Sequence, residues 1–378
     1  MTVNNLPYFD YASSTPIDPV ALQSMIECMK AKEGAFNPSN TQSNVVKNWI
    51  NEARRQVAHT IDAAPENIIW TSGATESNNL AIKGAAQFYQ INGKHIILSS
   101  VEHSSCIGSA QELESYGFSI SYAPVDSNGT VIVEALDQLI TEETILLSCQ
   151  HVNNETGIIQ PTNEISNWCR SKGIMLHIDA AQAIGKTPFS VKNISCDFVS
   201  LSGHKFFGPK GIGALWISDN PKRHLRSQIH GGNQENGYRS GTLSTHQIVG
   251  MGKAFSLIDQ TNHEHIQRLH DQLQDPLIHR FNATINGLKG KRVPHIINAT
   301  FHQHTLDSIH LLTKRIHCSQ GAACKDSQSQ NSHVLTAMGL SADQSKRSVR
   351  FSICKLTSIE DIKQLMKILD DTLILDKT

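Results

Sequence analysis

The stretch that decides the fold reads Phe198-Val-Ser-Leu-Ser-Gly-His-Lys205. Its first four residues have the apolar character of a short buried strand, and a lysine among small and polar residues follows. Upstream, the apolar run Ile174-Met-Leu176 leads into His177-Ile-Asp-Ala-Ala-Gln182, so that a carboxyl group, that of Asp179, stands at the end of a second strand-like segment. The pattern therefore places an amine and a carboxylate after two buried segments.

These two groups are the parts that a pyridoxal phosphate enzyme needs. A lysine forms a Schiff base with the aldehyde, and an aspartate keeps the pyridine nitrogen protonated so that the ring can accept electrons. Lys205 lies beside Phe206 and Phe207, and desolvation there favours the neutral amine that attacks a carbonyl. Taken singly, an exposed loop lysine is the simpler interpretation. Its combination with Asp179, Gln182, Ser202 and His204 favours a lysine that forms a Schiff base with the cofactor.

Helix-like and strand-like segments alternate over residues 16–255. Short apolar strands separated by helices indicate an α/β domain with a mostly parallel sheet that is covered on both faces. The predicted elements are a helix at 44–61, a strand at 68–70, a helix at 78–90 and strands at 95–98 and 145–148.

The character of the chain changes after Leu243. A long helical stretch is predicted to about Phe281, and an α+β pattern follows it. We therefore expect a smaller domain made of residues 1–15 and 256–378. Its predicted elements are a strand at 293–301, a helix at 305–313, an exposed Ser/Gln-rich loop at 325–332, a strand at 348–352 and a helix at 358–373.

Composition excludes several classes of function. Lys and Arg number 33 against 34 Asp and Glu, so no positive field is present to bind nucleic acid directly. No apolar run approaches the roughly 18 residues of a membrane span, and residues 1–10 lack the pattern of a signal peptide. The eight cysteines stand singly, and the 19 histidines show no HExxH pattern. We therefore expect no metal site and a cytoplasmic protein with reduced thiols.

Three further segments follow strand-like runs. Ser72-Gly-Ala-Thr-Glu-Ser-Asn-Asn79 opens a helix, and the backbone N–H groups of Gly73, Ala74 and Thr75 could hold a phosphate there, although an ordinary capped helix start fits equally well. His103 could stack on a planar cofactor and transfer protons, or be an ordinary core residue. Asn153-Asn-Glu-Thr-Gly157 could also be a plain loop.

Together these motifs give the chain a resemblance to the cysteine desulfurases, in the class V branch of fold-type I pyridoxal phosphate enzymes. The resemblance runs from about Tyr8 to Leu356. It implies the fold-type I architecture, a large domain with a mostly parallel seven-stranded sheet between helices plus a smaller α+β domain. The motifs that carry it, in order, are 72–79, Glu102-His103, 153–157, His177 to Gln182, Ser202 to Lys205 and Arg239-Ser-Gly-Thr242.

The resemblance also implies a role for each matching residue. Lys205 would form the Schiff base, Asp179 would pair with the pyridine nitrogen, and Gln182 would contact the phenolic oxygen. His103 would stack on the ring and transfer protons. The phosphate would bind Gly73, Ala74, Thr75, Ser202 and His204, with Thr242 from a partner subunit, and the substrate carboxylate would bind Asn154 and Arg350.

Cys324, in Ser319-Gln-Gly-Ala-Ala-Cys-Lys325, stands where the resemblance places the persulfide cysteine. Such a thiolate must be accessible to attack sulfur and then present it to an acceptor. Lys325 and the polar loop favour that access. An inert cysteine is the alternative, which we retain for Cys318 and Cys354.

The implied activity is removal of sulfur from L-cysteine by a homodimer, giving L-alanine and a Cys324 persulfide for an acceptor protein. The route beyond it stays open among iron–sulfur assembly, tRNA thiolation and DNA phosphorothioation. The short segment after Arg350 favours a dedicated acceptor. Gly-Ala-Ala before Cys324 is also similar to selenocysteine lyases, which are the alternative within enzymes. A catalytically silent partner protein would not need Lys205, Asp179, Gln182 and Cys324 together.

Overall fold

The structure is a computed structural model that describes residues 6–31, 43–220, 224–258, 263–320 and 331–374. Within these ranges the elements form two sheets and the helices that pack on them. None of the helices in these ranges has both the length and the apolar character that crossing a bilayer requires.

The first sheet has seven strands and follows the predicted α/β pattern. Its strands are β1 (Ile68–Thr71), β2 (His95–Ser99), β3 (Ser119–Ala123), β4 (Thr144–Gln150), β5 (Met175–Asp179), β6 (Phe198–Ser202) and β7 (Gly213–Ile217). Their spatial order is β1-β7-β6-β5-β4-β2-β3. β7 is antiparallel to β1 and β6, while the pairs from β6 to β3 are parallel. The mostly parallel sheet is confirmed.

The register of the parallel strands determines where the site lies. Gln150 at the end of β4 pairs with Asp179 at the end of β5, and Asp179 pairs with Ser200 in β6. The carboxyl ends of parallel strands meet at one edge of the sheet, which is where open α/β sheets bind ligands. Asp179 and Ser202 therefore lie on the same edge, and Lys205 follows β6 at that edge.

Helices cover the sheet and continue into the C-terminal half of the chain. They are α1 (Pro19–Lys30), α2 (Ser43–Thr60), α3 (Ala74–Tyr89), α4 (Ser104–Glu114), α5 (Leu136–Leu139), α6 (Thr162–Lys172), α7 (Thr245–Ser256), α8 (His263–His279), α9 (Leu306–Arg315), α10 (His333–Ala337), α11 (Ala342–Lys346) and α12 (Ile359–Leu369).

A second, antiparallel sheet has its own apolar core. Its strands are β8 (Thr284–Ile285), β9 (Ile296–Thr300), β10 (Ser319–Gln320) and β11 (Ser348–Ser352), in the order β10-β11-β9-β8. Phe9 packs into this core with Phe301 and Phe351, and Asp10 bridges to Ser352. The described part of the N-terminal segment therefore contacts the second sheet at Phe9 and Asp10. The domain boundaries themselves stay a prediction.

Several boundaries differ from the sequence-based expectation. The long helix expected after Leu243 consists of α7 and α8, because α7 ends at Ser256 and Leu257 leaves helical geometry. The helix at 78–90 begins earlier, at Ala74. The helix expected to reach Leu373 ends at Leu369 and continues as a short π-helical turn. The predicted strand at 293–301 is shorter and coincides with β9.

Candidate active site

Asp179 is a buried residue of the site and stands at the end of β5. It is 4% exposed, and its Oδ1 accepts a hydrogen bond from the backbone N–H of Ala181 at 2.8 Å. Its Oδ2 accepts a hydrogen bond from Nδ2 of Asn78 at 2.8 Å. Two N–H donors stabilise the ionised carboxylate. The group thus has the charge needed to pair with a cationic partner.

His103 stands at the N-terminus of α4 and caps that helix. Its Nδ1 lies 2.7 Å from Oγ of Ser105 and accepts a hydrogen bond from the Ser105 backbone N–H at 3.2 Å. Burial lowers the pKa of His103, and the positive charge of Lys205 lowers it further, while Asp179 opposes this shift. A neutral ring at physiological pH can accept or deliver a proton.

Glu102, just before His103, is a fully buried carboxyl group. The backbone N–H of Gln150 donates a hydrogen bond to its Oε1, whereas Oε2 has no partner among the described residues. Burial, followed by the nearby charge of Asp179, raises the pKa of Glu102 to about 8. Glu102 therefore retains its proton at neutral pH.

The amine of Lys205 lies at the open side of this edge. It donates hydrogen bonds to the backbone carbonyls of Ala12 and Ser13, each at 2.7 Å. In the turn after Lys205, the backbone of Phe207 has a left-handed conformation with φ 60°. The N–H of Phe207 donates a hydrogen bond to Oγ1 of Thr15 at 2.8 Å. The N-terminal segment thus fixes the turn that carries the amine.

Gln182 connects this amine to a second lysine. Its Nε2 donates to the same Ala12 carbonyl at 2.7 Å, and its Oε1 accepts a hydrogen bond from Nζ of Lys186. Burial, and then the nearby charge of Lys205, lowers the pKa of Lys186 to about 7. Both lysines line a cavity of about 110 Å³. Sequence reasoning missed Lys186, which stands four residues after Gln182.

The turn before α3 has the features of a phosphate cradle. α3 begins after Gly73 with no side-chain cap, so the first N–H groups of the helix have no capping side chain to bond them. A Cβ at Gly73 would meet no atom within 4 Å, whereas one at Gly213 would lie 2.6 Å from the Gly73 backbone. Glycine at 213 therefore lets β7 approach the turn closely.

The other predicted phosphate ligands lie on the same side of the sheet. Ser202 is buried at the end of β6. The Nδ1 of His204 is 3.3 Å from Oγ of Ser14, and its carbonyl accepts a hydrogen bond from Oγ1 of Thr15 at 3.0 Å. Burial, reinforced by the charge of Lys205, lowers the pKa of His204 to about 4. Its ring is therefore a neutral donor or acceptor at physiological pH.

Arg350 brings β11 of the second sheet against the site. It is 5% exposed, and its NH1 donates to the Asn154 backbone carbonyl at 2.7 Å. Its NH2 donates to Asp10 and Ser13 at 2.6 Å each and to Ser319 at 2.8 Å. The buried Nε has no partner among the described residues.

Three predicted residues contribute less to the described geometry. Asn154 contacts Arg350 through its backbone carbonyl, and the predicted role of its side chain at the substrate carboxylate stays a prediction. Thr242 is exposed in the segment before α7. Cys324 lies outside the described residues, in the segment 321–330. The sequence motif around 72–79 contained one further residue whose role was missed, Asn78, which lies against Asp179.

Known proteins resemble this chain over nearly its whole length. Residues 7–365 match the family model described as aminotransferase class-V. The cysteine desulfurase IscS of Pseudoalteromonas translucida (strain TAC 125) is 40% identical over 373 residues, covering 97% of this chain and 92% of that enzyme. That of Shewanella frigidimarina (strain NCIMB 400) is 41% identical, with the same coverage.

Solved structures agree with these sequence relationships. A structure described as a NifS-like protein superposes with a TM-score of 0.90 at 31% identity, covering 99% of this chain and all of that one. A structure described as SspA in complex with cysteine superposes with a TM-score of 0.83 at 35% identity, covering 92% of this chain and 98% of that one. These relatives do not favour the selenocysteine lyase alternative. The chain belongs to the class-V aminotransferase family and, within it, to the cysteine desulfurases.

Proposed function

We propose that this protein is a cysteine desulfurase that holds pyridoxal phosphate at Lys205 and takes sulfur from L-cysteine. The observation that carries the proposal is the meeting of Lys205, Asp179 and Gln182 at one edge of the sheet. A Schiff-base amine, a carboxylate for the pyridine nitrogen and an amide donor for the phenolic oxygen are the contacts such a cofactor requires.

The residues present fit the cofactor. The uncapped start of α3 and the open space above Gly73 suit a phosphate group. Asp179, with its two N–H donors, has the anionic form that pairs with a protonated ring nitrogen. We assign the remaining phosphate contacts to Thr75, Ser202 and His204.

When bound, the cofactor withdraws electrons from the substrate α-carbon. The protein's own groups then move protons. Lys205 must release the carbonyls of Ala12 and Ser13 and lose a proton before it can react or act as a base. His103 is the second proton carrier, because its depressed pKa keeps the ring neutral.

Arg350 is assigned to the substrate carboxylate. Guanidinium binds a carboxylate through parallel N–H donors, and its buried Nε has no hydrogen-bond partner among the residues that the structure describes. A relative that is 35% identical is described in complex with cysteine, which supports L-cysteine as the substrate. The side chain of Asn154 is proposed as the second carboxylate contact.

Cys324 is proposed as the sulfur acceptor within the enzyme. Its thiolate attacks the cysteine sulfur, a sulfur–sulfur bond forms, and the carbon–sulfur bond of the substrate breaks. The carbon takes the electron pair and a proton, which gives L-alanine, and Cys324 becomes a persulfide. The assignment rests on the family motif around Cys324.

The assembly and location are proposed on the same resemblance. In a homodimer Thr242 would reach the partner's phosphate. An acceptor protein would then take the sulfur from Cys324 for iron–sulfur assembly, tRNA thiolation or DNA phosphorothioation. The cytoplasm is the proposed compartment.

Lys205→Ala tests the proposal. Purified wild-type protein, supplied with pyridoxal phosphate, cysteine and dithiothreitol, is expected to produce alanine and sulfide in equal amounts. Lys205→Ala should lose at least about a thousandfold of this rate, because the covalent step has no replacement amine. Lys210→Ala is the control, since Lys210 is exposed on the same loop. Wild-type protein that makes no alanine, or an undiminished Lys205→Ala, would refute the proposal.

A further inference from the structure

A line of hydrogen bonds runs behind the site from Asp179 to His103. Nδ2 of Asn78 donates to Oδ2 of Asp179 and to Oγ of Ser105, each at 2.8 Å. Oγ of Ser105 lies 2.7 Å from Nδ1 of His103. The intermediate residues, Asn78 and Ser105, are assigned no role in the function proposed above.

The orientation of the Asn78 amide follows from charge. Asn78 is fully buried, and its Oδ1 has no partner among the described residues. A flipped amide would place that oxygen against the Asp179 carboxylate, where both groups only accept hydrogen bonds. The amide therefore leaves Oδ1 unpaired and directs both Nδ2 protons to acceptors, at the cost of one unsatisfied carbonyl.

This orientation determines where the Ser105 proton lies. Because Oγ of Ser105 accepts a hydrogen bond from Asn78, its own O–H is directed to Nδ1 of His103. The Ser105 backbone N–H donates to the same nitrogen at 3.2 Å. Two donors facing Nδ1 mean that this nitrogen is unprotonated, so the single ring proton of His103 is on Nε2.

We propose that Asn78 and Ser105 are positioning residues that hold His103 in the Nε2–H form and link its tautomer to the charge of Asp179. The inference rests on the proposed function for its consequence: the ring presents a fixed proton at Nε2 to the reacting groups. The geometry of the inference comes from the hydrogen bonds of Asn78, Ser105 and His103.

Other charged groups act on His103 and must be separated from this effect. Lys205 and His333 lower the pKa of His103, while Asp179 and Glu155 raise it. None of these four is altered by a substitution at Ser105. The hydroxyl donor adds to the lowering, because a donor at Nδ1 stabilises only the neutral ring.

The test is the NMR titration of His103 in full-length protein without added cofactor. The ring ¹⁵N signals report the tautomer, and the His103 signals are assigned from their loss in His103→Gln. We expect the Nε2–H tautomer in the wild type. Ser105→Ala should raise the proton affinity of His103 about three- to tenfold, and Asn78→Ala should shift it in the same direction.

Matched variants separate positioning from a general loss of structure. Ser104→Ala and Asn79→Ala, which change exposed or outward-facing neighbours, should leave the His103 titration unchanged. Ser105→Thr keeps the hydroxyl and should show the wild-type titration of His103. With cofactor and cysteine, the acidic limb of the kcat/KM profile should move to higher pH in Ser105→Ala.

An Nδ1–H tautomer in the wild type, or a His103 titration that Ser105→Ala leaves unchanged, would overturn the inference. The NMR result needs neither cofactor nor turnover. A protein that fails to release alanine from cysteine would therefore refute the proposed function. The effect of Asn78 and Ser105 on the His103 tautomer would still be measured independently.

Discussion

At the residue scale, the site depends on a few buried groups whose protonation states are determined by their neighbours. Burial raises the pKa of Glu102 to about 8, whereas the carboxyl group of Asp179 accepts hydrogen bonds from two N–H donors. The sequence predicted which of these residues matter, since Lys205, Asp179, Gln182 and His103 stand in recognisable motifs. It could not predict Asn78, Ser105 or Lys186 as partners, because their contacts depend on how three segments pack.

Lys186 gives a prediction at this scale. Its bond to Oε1 of Gln182 helps to direct the amide N–H groups toward Ala12 and the proposed cofactor. Lys186→Met should therefore weaken the affinity for pyridoxal phosphate about tenfold, which corresponds to the loss of one hydrogen bond of about 1.4 kcal/mol. Titration of the apoprotein by cofactor absorbance measures this. Lys210→Met should bind normally, and equal affinities for both variants would contradict the prediction.

At the element scale, one buried ion pair joins three parts of the large sheet region. Glu235 accepts hydrogen bonds from both terminal nitrogens of Arg54 in α2 and from the backbone N–H of Trp70 in β1. Its backbone adopts a left-handed φ of 49°, which a non-glycine residue adopts only when its surroundings hold it there. The pair therefore fixes the segment before Thr242 against the sheet.

Glu235→Gln should lower the free energy of unfolding by about 3 kcal/mol, because it leaves the largely buried charge of Arg54 without its carboxylate partner. The two side chains are only 15% and 3% exposed. The control is Glu52→Gln, whose pair with Arg55 on the same helix is more than half exposed and should change stability by less than about 0.5 kcal/mol. Urea unfolding measures both. Similar losses in the two variants would show that the Glu235 pair is not structurally important.

The elements themselves were largely predictable. Buried strands such as β1, β2, β4 and β6 are short apolar runs that the chain marks clearly. β3 was missed because it lies at the exposed edge of the sheet and polar residues interrupt its apolar pattern. The break between α7 and α8 was missed because the residues on both sides have helical character, and the ending at Leu257 has no glycine or proline to mark it.

At the scale of the whole molecule, buried histidines make stability depend on pH. The ring of His177 is fully buried between Ser148 and Ser200 at 2.8 and 2.9 Å, and burial lowers its pKa from 6.5 to about 4. His151 is shifted in the same direction for the same reason. Between pH 6.5 and 4 the unfolded chain binds protons that the folded chain does not, so stability falls as the pH falls.

His177→Gln should reduce that pH dependence. Up to roughly 3 kcal/mol of the loss between pH 6.5 and 4 is attributable to one such histidine, so the unfolding free energy of the variant should change less steeply. His310→Gln, at an exposed position on α9, should keep the wild-type slope. Urea unfolding at several pH values measures the slopes, and an unaltered slope in His177→Gln would be inconsistent with its buried neutral ring.

The central claim is that the amine of Lys205 holds the cofactor, and borohydride reduction tests it most directly. Protein loaded with pyridoxal phosphate is reduced, digested and mapped by mass spectrometry. The account predicts a single stable pyridoxyl adduct on the peptide that contains Lys205, with none on Lys186. An adduct confined to another lysine, or no adduct in a protein that retains its fold, would contradict it.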